Sequence, residues 1–423
     1  MSERTDQYGD LRVDIARLWQ RLQSLGEIGA VHGPNEAWGC ARLALTDVDR
    51  QGRDLVVTWM LDLGLTISID AIGNVIGTRA GADPTAAAVM IGSHIDTVRT
   101  GGRFDGNLGV LAGLEVIEVL ERHRIETPHP VAVGVFTNEE GARFQPDMLG
   151  SLVFVGGMST ENALDIVAAD DGARLGDELA RIGYAGSVPC PVAVAPHAFV
   201  ELHIEQGPVL EDEGVTIGVV TGVQGISWTE LTITGQSAHA GTTPMRLRRD
   251  PGYVAAAINV GVRDIATEMG GAQVATVGRC ELSPNLVNVV PASVVMTVDL
   301  RNTDEVLLRN AESRFEALCA GLAESEQVTI DARVLARFEP VVFDPSMIER
   351  VEQEAIDLGH STLRMPSGAG HDAQMLARVC PTSMVFVQSR NGLSHNIAEY
   401  TSPADIEAGA NVLLQVVLGL AHG

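Results

Sequence analysis

The chain has 423 residues, more than one hydrophobic core usually organises, so at least two domains are expected. Apolar side chains make up 45% and charged ones 20%, a globular balance that excludes a disordered chain. Acidic residues outnumber basic ones 55 to 29, a formal charge of −26 that repels phosphate backbones and anionic bilayers, so neither nucleic acid nor a membrane is expected as partner.

Leu11, Ile15, Leu18, Leu22 and Leu25 fall four and three apart, which predicts an opening helix, and residues 48–63 read the same way. A hairpin of 67–69 with 74–78 follows, then a short apolar run at 88–92. A helix over 110–120 comes next, and after it the apolar run 131–136, so strand, helix and strand predict a parallel unit. Residues 199–204 and 384–387 read as further buried strands, and Ser402-Pro403 opens a helix running to Leu420. Between these lies a different rhythm: strand 227–234, helix 251–269, strands 273–281 and 293–301, helix 305–323, strand 327–334. That β-α-β-β-α-β order is the split unit of a ferredoxin-like domain and closes on itself. The fold expected is therefore α/β, a mainly parallel-sheet domain made of 1–215 and 337–423, interrupted by an inserted domain at 216–336.

The chemistry gathers where predicted strands end, the edge along which open α/β sheets bind ligands. His94 and Asp96 follow the run 88–92, and two residues apart on extended backbone they face the same way, so the Asp96 carboxylate is expected to hold the second ring nitrogen of His94. Asp105 sits in the glycine-rich loop Gly101-Gly102-Arg103-Phe104-Asp105-Gly106. Glu139 and Glu140 follow the strand 131–136 and repel each other unless a cation or a proton is shared. His203 lies within the strand 199–204, beside Glu201 and Glu205, and His395 in a loop after the strand at 384–387. Imidazole and carboxylate without thiolate suit zinc, manganese, cobalt or nickel in an open site. Five ligands are one too many for a single tetrahedral ion. If Asp105 bridges, His94 and His203 complete one ion and Glu140 and His395 the other, with room for a shared hydroxide between ions roughly 3.5–4 Å apart and Glu139 as general base.

Competing chemistries are poorly served. All 29 basic residues are arginine, so there is no Walker-type lysine and no Schiff base, and no G-x-S-x-G elbow or strand-linked G-x-G-x-x-G occurs. Five scattered cysteines form neither a disulfide framework nor a thiolate zinc site, which fits a reduced, cytoplasmic protein. The opening residues Met1 to Asp6 carry no apolar leader stretch, and no eighteen apolar residues run together.

In chain order, G-S-H-I-D-T-V, G-R-F-D-G-N-L-G-V, N-E-E-G-A-R-F, E-L-H-I-E-Q-G-P, S-A-H-A-G-T-T-P-M and L-S-H-N resemble the blocks of metal-dependent amidohydrolases of the hydantoinase/carbamoylase type. That group includes N-carbamoyl-L-amino acid hydrolases, β-ureidopropionases and allantoate amidohydrolases, and belongs with the aminoacylase-like dinuclear peptidases. The resemblance implies the same metal ligands, His94, Asp105, Glu140, His203 and His395, with two divalent ions, zinc first among them, and Glu139 as base. It adds substrate contacts that spacing does not supply: Gln206, Asn288, Arg301 clamping a carboxylate, and His239 polarising the scissile carbonyl. It implies a lid and homodimer contact in the inserted domain, with His239 reaching the site from the partner subunit. The activity implied is hydrolysis of the ureido C–N bond of an N-carbamoyl-L-amino acid, releasing ammonia and carbon dioxide. Allantoate or ureidoglycolate hydrolysis, or peptidase or N-acyl amino acid deacylase activity, are its alternatives. Leu152 departs from the pattern, since many relatives carry arginine there.

Overall fold

The computed structural model describes residues 8–34, 37–168 and 170–423; the segment read for a leader, Met1 to Asp6, lies outside them. The chain divides into two compact units, Met1–Gly222 with Val342–Gly423, and Val223–Val341.

In the first unit the apolar runs become a parallel core. Val89–His94 and Val131–Phe136 pair in parallel, and every residue of both is buried. Ala198–Ile204 lies in parallel on the other side of Val89–His94, and Thr382–Val387 in parallel beyond it. Burial on both faces is why these four strands read as mainly apolar rather than alternating, with Glu201 and His203 the polar interruptions in Ala198–Ile204. Antiparallel strands flank them: Val75–Arg79 with its hairpin partner Thr66–Ile69 at one side, Ile217–Val223 at the other. Helix Asn107–Arg122, buried from Asn107 to Leu120, covers one face. Helix Pro403–His422 packs against Ala198–Ile204 and Thr382–Val387. By length and composition it is apolar enough to cross a bilayer, but 78% of its apolar window is buried inside the protein. It starts as expected, with the Ser402 hydroxyl accepting from the Asp405 amide and Pro403 in the first turn.

The second unit is an antiparallel sheet in the spatial order Val274–Ser283, Ser293–Asn302, Gly225–Thr234, Thr329–Phe338, with helices Pro251–Met269 and Glu305–Glu326. This is the β-α-β-β-α-β arrangement, the first and third strands central. Val294, Met296, Val298 and Leu300 alternate inward along one strand and meet Val254, Ile258, Val262, Leu308 and Phe315 from the helices.

Three boundaries differ from expectation, one of them the far edge of the insert, which runs to Val341 rather than to residue 336. The second helix of this unit continues to Glu326, and Gln327 ends it in the left-handed region at φ 52°. The segment 216–222, read as the start of the insert, belongs to the first unit because Ile217–Val223 pairs antiparallel with Thr382–Val387.

Candidate metal centre

The parallel strands bring their carboxyl ends together, and the side chains there meet. His94 is the last residue of Val89–His94 and His203 the penultimate one of Ala198–Ile204. Both are buried, at 1% and 0% exposure. Asp105 stands just before helix Asn107–Arg122 but does not cap it; the cap is Gly106, at φ 65°, with no side-chain cap bond. The Asp105 carboxylate is thus left to the site. Its Oδ1 lies 3.7 Å from His94 Nε2 and 3.2 Å from His203 Nε2. Its Oδ2 lies 3.8 Å from His395 Nε2, and that nitrogen is 3.0 Å from Glu140 Oε2. His94, Asp105 and His203 form one group able to hold a metal ion, Asp105, Glu140 and His395 a second, and Asp105 is common to both.

The second ring nitrogens of His94 and His203 are tied off. His203 Nδ1 donates to the Ile204 carbonyl oxygen at 2.8 Å, which leaves Nε2, beside the Gly106 amide and Asp105 Oδ1, as the nitrogen that faces the site. His94 Nδ1 donates to the Asp96 main-chain oxygen at 2.9 Å. This corrects the expected role of the Asp96 carboxylate, whose Oδ1 is 4.0 Å from that nitrogen, too far for a hydrogen bond. The strand ends at His94 and the backbone turns, so the carbonyl faces the ring instead. The carboxylate accepts from the Glu139 and Glu140 amides, both at 3.3 Å, and so orients the acidic pair. Behind it Arg42, wholly buried, donates to Ile95 O and Asn107 Oδ1 and fixes the backbone on either side.

Burial and mutual repulsion set the proton affinities. Burial pushes the Glu139 carboxyl well above the ordinary range, and the charges of Asp372, Glu140, Asp105 and Asp96 push it further. Glu140 is raised by burial, against the hydrogen bond from His395. Asp96 rises to about 7, through burial and then the charge of Asp49. Burial also opposes ionisation of Asp105, but His203, His94 and His395 outweigh it and hold that carboxyl well below its usual range.

Gly106 shows how little slack exists. A Cβ there would sit 2.4 Å from the His94 ring, on a backbone at φ 65° that side chains rarely adopt. Gly106→Ala is expected to destabilise the protein by about 2 kcal/mol or more and to reduce bound metal. Denaturant unfolding and metal analysis of the variant check this; an unchanged midpoint with unchanged metal content contradicts it.

A family model described as peptidase family M20/M25/M40 matches residues 90–419. The chain belongs to that family. It is 44% identical over 411 residues to an N-carbamoyl-L-amino-acid amidohydrolase of Rhizobium meliloti, covering 97% of both chains. It is 35% identical over 392 residues to an allantoate amidohydrolase of Escherichia coli K12, covering 92% of this chain and 95% of that one. The crystal structure of a hydantoinase/carbamoylase family amidase from Burkholderia multivorans matches with a TM-score of 0.93 at 46% identity, over 97% of this chain and 99% of that one.

Family M20 proteins depend on metal, and the residues of this member fit divalent ions. The donor set is imidazole and carboxylate, with one carboxylate shared. Among the described residues no arginine pairs with Asp105, Glu139 or Glu140, so the buried negative charge of this M20 site has only imidazoles to offset it. The wall behind adds more charge. Glu201 accepts from Ser93 Oγ at 2.6 Å and from the Ala373 amide at 2.9 Å. Both carboxyl oxygens of Asp372 are buried without a hydrogen-bond partner, since the Ser151 hydroxyl near it is turned to Met148 O at 3.1 Å. His371 stacks edge-on against His203 with ring centroids 4.5 Å apart. The Gly-Ala-Gly-His-Asp stretch reads equally well as a helix start, so sequence alone does not mark His371 and Asp372 as site residues, and Asp372 does begin the helix Asp372–Leu376.

Of the residues implied as substrate contacts, Gln206 stands in this centre. Its backbone is left-handed at φ 59°, its Nε2 donates to Asp105 Oδ2 at 2.8 Å, and its Oε1 is buried without a partner. His239 and Asn288 are exposed in the second unit and adjacent, since the Ala240 amide donates to Asn288 O and His239 pairs with Val289. His239 Nδ1 accepts from the Gly241 and Thr242 amides, which leaves the ring proton on Nε2. Arg301 projects from the sheet face opposite Val298 and Leu300, its Nε and Nη2 engaged by Asp299 and its guanidinium 5.7 Å from the Trp228 ring centroid.

Proposed function

We propose that this protein hydrolyses the ureido C–N bond of N-carbamoyl-L-amino acids, using two divalent ions, zinc first among the candidates. The observation that carries this reading is Asp105, whose two oxygens face two separate ligand groups beside a buried glutamate of raised proton affinity. His94, Asp105 and His203 would hold one ion, and Asp105, Glu140 and His395 the other. When bound, such ions polarise a carbonyl and acidify water.

The chain's own groups supply the rest. Glu139 takes a proton from the attacking water as its oxygen bonds to the ureido carbon, and returns that proton to the departing nitrogen. The terminal C–N bond breaks, ammonia leaves, and the remaining carbamate loses carbon dioxide. Asp96 serves as a positioning group, through the Glu139 and Glu140 amides and the His94 ring. Gln206 is pinned by its amide nitrogen, so its oxygen accepts from a ureido N–H, a donor that the unpartnered oxygen calls for. The partner subunit's His239 would offer its Nε2 proton to the carbonyl oxygen, and Asn288 and Arg301 would take the substrate carboxylate.

Arg301→Ala is accordingly expected to raise KM for N-carbamoyl amino acids about 10–100-fold while sparing the matching N-carbamoyl amino amides. An equal effect on acids and amides removes the clamp. The function itself is tested by ammonia release from a panel of N-carbamoyl-L-amino acids, allantoate and ureidoglycolate, against amine release from dipeptides and N-acyl amino acids. Fastest turnover of N-carbamoyl-L-amino acids is expected; allantoate fastest would favour the reading carried by the Escherichia coli relative.

The second unit is proposed as the lid and homodimer contact. It ends in the edge strand Val274–Ser283 and exposes Val260 at 62%, Val274 at 48% and Leu282 at 39%. Sedimentation of the protein is expected to give twice the chain mass; a monomer contradicts the contact. The five cysteines are free, in keeping with the cytoplasm as its place.

A further inference from the structure

One buried carboxyl group touches the bridging aspartate from outside the ligand set. Glu399 is 2% exposed. Its Oε1 accepts the Phe104 amide at 2.9 Å and the Asp105 amide at 3.1 Å. Its Oε2 lies 3.3 Å from the Ser394 hydroxyl, and that hydroxyl donates to Asp105 Oδ2 at 2.5 Å. Asp105 is therefore held at both ends, by Glu399 at its main-chain nitrogen and by Ser394 at its carboxylate. The same two residues bracket His395, and the Glu399 amide closes that turn onto Asn396 O at 2.9 Å.

The glycines of the loop 101–106 make room for this contact. A Cβ on Gly102 would fall 1.9 Å from the Glu399 carboxyl carbon, so only glycine lets the loop approach it. No arginine forms an ion pair with Glu399 among the described residues. A carboxyl group buried without a cation is costly, and two main-chain N–H groups left unpaired in its place would be costly as well.

We propose that Glu399 is a positioning residue that locks the Asp105 loop to the His395 loop and so sets the affinity of the Asp105–Glu140–His395 group for its ion. The proposal rests on the dinuclear reading given above. Metal-stripped wild type, Glu399→Gln and Glu399→Ala are titrated with zinc chloride by calorimetry, and kcat and KM are measured at limiting and saturating zinc. The glutamine keeps an oxygen for both amides, so it is expected to bind two ions within about threefold of wild type. The alanine is expected to keep one ion and to bind the other about 10–100-fold more weakly, with kcat recovered at saturating zinc and KM unchanged. Alanine binding that matches wild type, or glutamine binding as weak as alanine, overturns the proposal. If Glu399→Ala does not fold, Ser394→Ala takes its place. It is expected to weaken the same ion by several-fold, and unchanged affinity there overturns the proposal too. A wild type that takes up no zinc removes the dinuclear reading and this proposal together; two equally tight ions in every variant remove this proposal alone.

Discussion

Glu139→Gln is expected to keep its metal and lose turnover by about 10²–10⁴-fold, the range general-base removal produces. The two side chains are nearly identical in size, and Glu139 is 7% exposed, so the exchange leaves packing intact. What it removes is the ability to take a proton. Burial and four neighbouring carboxylates raise that ability in the glutamate, which suits it to accept a proton from water and return it to a leaving nitrogen near neutral pH. Steady-state kinetics with metal analysis on the same preparation decide the matter. Wild-type turnover in the variant would remove Glu139 as base, and lost metal would show it to be a ligand instead.

Asp105→Asn is expected to weaken binding of both ions by more than about 100-fold and to reduce hydrolysis to background. Of the two groups that share Asp105, Glu140 and His395 belong to one and His94 and His203 to the other, so losing any of these four would spare one ion. An asparagine cannot bridge with two oxygens. Its amide nitrogen would also face either the His94 and His203 ring nitrogens or the Gln206 Nε2 and Ser394 donors, which now give to Oδ2 at 2.8 and 2.5 Å. Whichever way the amide turns, one of the two groups receives an N–H group with no lone pair in place of an oxygen ligand. Metal analysis after dialysis reads the result; two ions retained would show that Asp105 does not bridge.

Much of the centre was legible because its residues stand at the ends of apolar runs. His94, Glu139, Glu140 and His203 each lie in or just after a strand buried on both faces, and a polar residue in that position has few explanations. The β-α-β-β-α-β order was legible too, since its alternating strands and long helices keep separate periods. Contacts made by backbone turns or across long stretches of chain were not. Spacing put the Asp96 carboxylate on the His94 ring, but the strand stops at His94 and the carbonyl takes that place. Glu399 meets the Phe104 amide across 295 positions, and a lone glutamate in a polar loop carries no periodicity to mark it. Gln327 looked like the start of a strand because nothing in its side chain announces the left-handed turn that ends the preceding helix. Exposed His239 and Asn288 and half-buried Arg301 gave no pattern of their own and were recognised by resemblance alone.

The central claim is that His94, Asp105, Glu140, His203 and His395 together hold a pair of divalent ions. Metal analysis of the purified, dialysed protein by plasma mass spectrometry tests it most directly. Two equivalents per chain are predicted, falling to none after chelation along with the hydrolytic activity, and both returning when zinc or manganese is added back. Full activity in a preparation free of metal, or saturation at a single ion, would contradict it.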